Sequence, residues 1–350
     1  MNILENVDLK LYSTMRLGGR ARWLAEAYKE SEVKDLVDWA KQKGAPFIVI
    51  GQGSNVVWRD EGFEGLIIAN KVKGIEVLDE DSGGTIVRAG AGEIWDEVVA
   101  WSVNRGLNGI EFLSRIPGLA GAAPVQNIGA YGAELADVLK EVAVYDTQTG
   151  SFESILAEGC GFAYRTSRFK TTDKGRFVIM SITIQLKKTN PAPPFYESLE
   201  KYLTRLRQGS GGQASLKKEY TPQEIREAVT AIRKIRLPDP SVVNNNGSFF
   251  TNPFVSAARF KELQAKYPDI KGWPAPEGKI KLAAGWLVEK AGFKEVHDES
   301  GVATWPGNAL VLVNEHAQST ADLIAFKQRI LDKIQEMFGV ALEQEPELLP

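Results

Sequence analysis

Metal chemistry has little to draw on in this sequence. Among 350 residues there is one cysteine, Cys160, and there are two histidines, His297 and His316. Transition-metal centres are usually built from several Cys and His ligands, so we expect no metal site. A single cysteine also excludes an intrachain disulfide and gives no sign of an oxidising compartment. Cys160 reads as a small structural residue. Excess charge is missing as well: 42 Lys and Arg stand against 45 Asp and Glu, a formal net charge of −3. No global positive field recruits nucleic acid. An anionic ligand must therefore be held by local arginine, lysine and backbone N–H groups. The uncharged stretch Ile116–Ala133 is broken by Pro117, Pro124, Gln126 and Asn127, which makes it unfit as a membrane span. The opening residues MNILENVDLKLYS carry acidic and polar side chains where a signal peptide needs an apolar centre. A cytoplasmic protein is the expectation.

What is present is punctuation by glycine and proline, and enough length for two or three domains. Ser31–Lys43 has helical periodicity, with Ser31 placed to cap it and Gly44 to end it. Pro46–Ile50 reads as a buried strand running into Gly51-Gln52-Gly53-Ser54-Asn55. Val56–Trp58 and Leu66–Ile68 follow, and this α+β unit closes near Asn70. Thr85–Ala89, Val138–Tyr145 and Phe177–Leu186 read as strands, and Ile94, Val98 and Trp101 as one helix face. Thr189–Lys218, with SGGQAS at its centre, has the composition of a mobile loop or insertion. Thr221-Pro222-Gln223-Glu224 is a capping box that opens a helix. A last helix is expected from about Ser319 to Phe338, followed by strand-like Val340-Ala341-Leu342.

Two Gly-rich segments carry candidate chemistry. Gly51–Asn55 follows a strand, and glycines let backbone N–H groups approach an anion. A Rossmann site would need a third glycine and a helix directly afterwards; Val56-Val57-Trp58 does not supply one. The second segment, Arg115–Gly132, mixes tiny side chains with Gln126 and Asn127. It suits either a buried, tightly packed loop or an extended ligand against backbone. Both segments together favour a large cofactor bearing a diphosphate. Phe162–Lys170 alternates aromatic and cationic residues, read either as a solvated surface strand or as arginines placed for an oxyanion. In Asn244–Pro253, NNNGSFFTNP, an Asn-Gly turn puts Ser248 where a rigid bend enters an apolar pair, Phe249-Phe250. Ser248 has no G-x-S-x-G context. It reads as a nucleophile, a positioned proton donor or a serine satisfying a turn.

As a set, IGQGSN, RIPGLAGAAPVQNIGAYGAEL, CGFAYRTSRFK, IRLPDP, NNNGSFFTNP, KLAAGWLVEKAG and LEQE resemble the UDP-N-acetylenolpyruvoylglucosamine reductase family. They stand in that family's order and span nearly the whole chain. The resemblance implies an α+β fold: a two-part FAD-binding domain of the vanillyl-alcohol-oxidase type plus an α+β substrate-binding domain. The expected divisions are 1–70 and 71–232 for the two FAD-binding subdomains, the second including a flexible 189–218, and 233–345 for the UDP-sugar domain. It implies bound FAD, NADPH as co-substrate and a UDP-sugar substrate; we expect a monomer with no nucleic-acid or membrane partner. Carried over by motif, Ser248 is the proton donor, and Arg165 and Glu345 stabilise the enolate formed on hydride transfer. Gly51, Gln52, Gly53, Ser54, Asn55, Pro117, Gly118, Gly121, Ala122, Gln126, Asn127, Gly129 and Ala130 fall on the FAD loops. Tyr196, Arg236 and Asn252 fall on substrate positions. The alternative is another flavin oxidase of this fold acting on a sugar or alcohol. After LEQE, Pro346 removes a ladder donor where a strand would continue. We therefore expect a less buttressed first subdomain and leave Glu347 as the rival of Glu345, which spacing favours.

Overall fold

The computed structural model describes residues 1–209 and 215–350; most of the SGGQAS stretch lies outside the described residues. The chain divides into two units. The first comprises 1–7, 21–52 and 64–234, and the second 8–20, 53–63 and 235–350.

The first unit begins with a four-stranded sheet in the order Ile3–Asp8, Arg20–Ala27, Phe63–Asn70, Phe47–Ile50. Val49 stands opposite Ile68 in a parallel pair. Helix α1, Glu30–Gln42, covers this sheet with Val33, Leu36, Val37 and Ala40, all buried. Its start is not where Ser31 predicts. The Glu32 carboxylate accepts from the backbone N–H of Tyr28 at 2.7 Å and Lys29 at 3.2 Å, so the helix opens before Ser31. A five-stranded antiparallel sheet follows, ordered Ser151–Leu156, Leu139–Asp146, Phe177–Lys187, Gly84–Gly90, Ile75–Glu80. Helix α2, Trp95–Val103, joins its core through Trp95, Val98, Val99 and Val103. Cys160 is buried in the same core, and burial pushes its thiol up to about 11, which keeps it inert.

Within the segment expected to be a mobile loop or insertion, 13 residues are helical. Helix α3, Glu197–Gly209, turns Leu199 and Leu203 inward against helix α4, Pro222–Arg236. Helix α4 opens as predicted: Thr221 N–H donates to Glu224 at 2.9 Å and Glu224 N–H to the Thr221 hydroxyl at 3.2 Å.

Asp146 is a titration point in this unit. Its buried carboxylate takes Arg176 Nη2 at 2.6 Å and Nε at 3.1 Å. The Arg176 hydrogen bonds are the chief reason its pKa is lowered to about 2. A carboxyl depressed on folding stabilises above its unfolded pKa and loses that contribution as pH falls toward the folded value. The pair's contribution should therefore fade between about pH 4 and pH 2. Asp146→Asn should lower the urea midpoint at neutral pH and flatten its dependence on pH across that window.

The second unit holds a three-stranded antiparallel sheet, Asn244–Ser248, Asn308–Asn314, Val302–Trp305. A smaller one runs Phe254–Ser256, Lys279–Leu282, Gly272–Pro274. Helix α5 is Ala257–Lys266 and helix α6 is Ala284–Lys290. Helix α7, Thr320–Phe338, buries Leu323, Phe326, Ile330, Ile334 and Phe338 and ends at Gly339 with φ +59°. Asp60 accepts from its Thr320 and Ala321 N–H groups at 2.7 and 3.0 Å, which places a negative charge at the helix's positive end. The strand expected at Val340–Leu342 does not form. Pro346 does not end the pairing either: Glu347–Leu349 runs parallel to Val56–Trp58, with Arg59 N–H donating to Leu349 O at 2.9 Å.

Candidate active site

In the second unit the stretch NNNGSFF forms a β-bulge. Asn245 faces Val313 but Ser248 faces Val311, so the strand carries one residue more than its partner. Gly247 absorbs the difference with φ +71°, a conformation that an L side chain resists. The neighbouring asparagines hold the bend. Asn245 Oδ1 accepts from Gly247 N–H at 2.8 Å, its Nδ2 donates to Val243 O at 2.8 Å, and Asn244 reaches Asn314 O at 3.4 Å. Beyond the bend Phe249 and Phe250 are each 1% exposed, so the serine is fixed from both sides.

The chain segment 343–345 lies against this stretch through an isolated bridge. Thr251 N–H donates to Glu343 O, Phe250 pairs with Gln344, and Glu345 N–H donates to Phe249 O at 2.9 Å. This antiparallel bridge sets Glu345 beside the residue following Ser248. Glu347 N–H donates to Asn55 O at 2.9 Å, next to the pairing with Val56–Trp58. Asn252 Oδ1 accepts from Ala284 N–H at 2.9 Å, at the start of α6. Arg236, the last residue of α4, is exposed. Ser54 and Asn55 line the same neighbourhood as the bulge through backbone carbonyls, and Asn55 Nδ2 approaches Glu345 O at 3.5 Å.

The first unit holds the other Gly-rich segment, from Pro117 and Gly118 onward. Gly121 donates to Ala91 O at 3.0 Å, and a Cβ on it would stand 2.5 Å from Ala91 Cβ. Its missing side chain therefore serves close packing. Ala122 and Pro117 are exposed. Gly129-Ala130 pairs with Ala133-Glu134 around Tyr131 (φ +52°) and Gly132 (φ +86°), a hairpin turn of the kind in which both central residues are left-handed. Tyr131 meets Tyr196 edge-on, ring centroids 6.1 Å apart.

The run Phe162–Lys170 is a set of turns, not a strand, and it is clasped to this segment. Ser167 Oγ donates to Val125 O at 2.6 Å, Asn127 Nδ2 to Ala163 O at 3.3 Å, and Arg165 Nη2 to Gly129 O at 2.6 Å. Asn127 is 1% exposed and also binds Glu134 Oε2 and Ala136 N–H. Its amide is spent on protein, so it shapes the loop. Arg165 adopts φ +55°.

Fit to a diphosphate-bearing cofactor can be judged from these groups. Among the described residues, no backbone acceptor takes the N–H of Gln52 or Gly53. On α4, Arg233 has its Nε buried without a partner. Burial, with the nearby guanidiniums of Arg115 and Arg165, holds its pKa below the ordinary range against the pull of Tyr131 and Asp96. Asp96 is already engaged by Arg226 at 2.7 and 3.0 Å. Each feature by itself suits an anionic group: the N–H donors of the first Gly-rich loop, and the arginines around α4 in the first unit.

The comparisons with known proteins agree. A family model described as an FAD binding domain matches residues 21–155. A second, the C-terminal domain of UDP-N-acetylenolpyruvoylglucosamine reductase, matches 239–349. The chain is 38% identical over 348 residues to the reductase of that name from Pseudomonas aeruginosa, covering 99% of each. It is 40% identical to the one from Alcanivorax borkumensis, covering 99% of this chain and 96% of the relative. The chain belongs to the UDP-N-acetylenolpyruvoylglucosamine reductase family. The crystal structure of the Thermus caldophilus reductase superposes over 100% of both chains with TM-score 0.66 at 24% identity, which establishes the α+β fold. The reductase C-terminal model spans the bulge, the small sheet, α7 and Glu345.

Sequence reading missed two features of this reductase fold. In the small sheet Lys281 faces Phe254 on one side and Trp273 on the other. Cross-strand partners share a face, so a lysine stands between two aromatics that are 42% and 37% exposed. Stacking surface beside a cation is what a nucleotide needs. The second feature is Arg233, seven residues after Arg226 and therefore on the same side of α4.

Proposed function

We infer that this chain reduces UDP-N-acetylglucosamine enolpyruvate to UDP-N-acetylmuramate, with FAD as cofactor and NADPH as reductant, in peptidoglycan precursor synthesis. The family match over 99% of the chain supports this reading. The observation that carries it is the bulge that fixes Ser248, with Glu345 N–H bonded to the carbonyl of the next residue, Phe249. Among the described residues no helix is long and apolar enough to cross a membrane; we place the reaction in the cytoplasm and take the chain to act as a monomer.

When bound, FAD supplies hydride transfer from NADPH to the enolpyruvyl double bond. Gly51–Asn55 and the Gly118–Ala130 segment are the residues that would hold it, the first through the N–H groups of Gln52 and Gly53 that no backbone acceptor takes. Ser248 Oγ gives its proton to the carbon that becomes carbanionic. A hydroxyl is a weak acid, so this role depends on a strongly basic acceptor and a fixed position. Arg165 and Glu345 steady the charge developing on the enol carboxylate. Arg236 and Asn252 face the substrate's anionic groups, and Tyr196 covers the sugar nucleotide.

The test is spectroscopic. Purified protein should be yellow, bleach with NADPH, and recover its colour anaerobically on addition of the enolpyruvyl substrate. A folded, colourless protein that cannot be reconstituted with FAD would overturn the reading. The Phe254–Lys281–Trp273 face is assigned to the uridine diphosphate. Trp273→Ala should raise the substrate KM roughly 10- to 100-fold, from a stacking contribution of about 1–3 kcal/mol, with kcat nearly unchanged. That split marks uniform binding, and steady-state kinetics with the enolpyruvyl substrate measures it.

A further inference from the structure

We propose that Asn246 is a positioning residue for the protonation step: it clamps the backbone loop Gly53–Val56 to the strand that presents Ser248. The proposal rests on the assignment of Ser248 as proton donor. Asn246 belongs to the bulge, so its side chain is released from the regular alternation of the strand. It is 4% exposed. Its Nδ2 lies 3.0 Å from Thr14 Oγ1, 3.2 Å from Val56 O, 3.3 Å from Ser54 O and 3.4 Å from Gly53 O.

One amide with two hydrogens thus faces four acceptors. The three carbonyls belong to the loop that carries the first Gly-rich motif. Thr14 closes the circuit: its N–H donates to Gly53 O at 3.1 Å, and its own carbonyl accepts from Asn245 N–H at 3.0 Å. Loop, Thr14 and the residues two and three before Ser248 therefore move as one body. The hydroxyl's register is set against the loop expected to hold the cofactor, and only Gly247 intervenes. Asn246 touches no reacting atom in this scheme. It acts by limiting where Ser248 Oγ can be, and a displacement of about 1 Å at such a group can cost on the order of 10²-fold.

Three variants test this in the FAD-loaded enzyme. Asn246→Ala removes the clamp. Asn246→Asp keeps its shape but turns carboxylate oxygens toward three carbonyls, so it should be the worse of the two. Thr14→Val removes one acceptor and leaves the rest. Rapid mixing should find flavin reduction by NADPH within about threefold of the parent. Reoxidation by the enolpyruvyl substrate should be slower by roughly 10- to 100-fold for the Asn246 variants. The solvent deuterium isotope effect on reoxidation should grow, because proton delivery becomes the slower event. A purely structural clamp would instead lower FAD content and both half-reactions together, and that result overturns the proposal, as do parental rates throughout. If Asn246→Ala fails to fold, Thr14→Val decides, with the same split at about threefold to tenfold. Failure of the parent enzyme to be reoxidised by this substrate would sink the reductase assignment itself, and is thereby distinguished from failure of the clamp.

Discussion

Ser248→Ala should leave a yellow, folded enzyme that NADPH still bleaches but that the enolpyruvyl substrate barely reoxidises. The fold should survive because the bend does not depend on the hydroxyl. Gly247 supplies the positive φ, Asn245 holds its N–H at 2.8 Å, and Phe249 and Phe250 anchor the exit. Alanine is compatible with the same backbone. What disappears is a proton held at one place. General acid catalysis by a positioned group is worth roughly 10²–10⁴ in rate, or about 3–5 kcal/mol at the barrier, and reoxidation should fall by that factor. The reductive half-reaction needs no proton from this residue and should stay within about threefold. Ser248→Cys should restore part of the lost rate, since a thiol of pKa about 8.5 is a better acid than a hydroxyl. Reoxidation at the parental rate in Ser248→Ala would remove Ser248 from the mechanism and with it the main physical reason for the bulge.

Local signals in the sequence were legible where one residue decides one hydrogen bond. The capping box at Thr221–Glu224 and the Gly44 stop are of this kind, and each forms as read. The buried Phe249-Phe250 pair behind an Asn-Gly turn was legible for the same reason. Helix α3 was not. Prolines before it and the Gly/Ser run after it dominate the composition, while its amphipathic content is a short stripe, Leu199 and Leu203, that becomes meaningful only against Tyr220, Ile225 and Val229 of its neighbourhood. Ser31 was a good cap by type, yet the chain turns into helix earlier because the Glu32 carboxylate already satisfies the free N–H groups.

Sites that depend on register were the least accessible. The bond between Glu345 N–H and Phe249 O comes from pairing between segments far apart in sequence. Nothing local in LEQE or NNNGSFF specifies it. The Lys281 platform likewise exists only once three short strands are aligned. Pro346 misled for a related reason. It costs one ladder donor, but Glu347–Leu349 pairs with Val56–Trp58 immediately afterwards, so the cost stays local.

Arg165→Lys carries the other large expected effect. Arg165 is held by a turn clasped to the Gly-rich segment at Val125, Asn127 and Gly129. Its Nη2 donates to Gly129 O at 2.6 Å. A guanidinium offers five donors in a rigid fork, so one arm can grip the loop while another faces an oxyanion. Lysine keeps the charge but has a single ammonium on a flexible stem. It cannot hold Gly129 O and a substrate oxygen in the same fixed geometry. The backbone comparison is fair, because φ +55° is equally unfavourable for either residue. Losing one preorganised donor at a developing charge costs roughly 10²–10³ in rate, about 3–4 kcal/mol. The loss should appear in reoxidation by the enolpyruvyl substrate and hardly at all in FAD content. Arg165→Met, which removes the charge as well, should fall further, and the gap between the two measures charge apart from geometry. If Arg165→Lys reoxidises at the parental rate, the fork is not needed and positive charge alone suffices at this position. If both variants lose FAD in proportion to activity, Arg165 serves the loop through Gly129 and not the substrate.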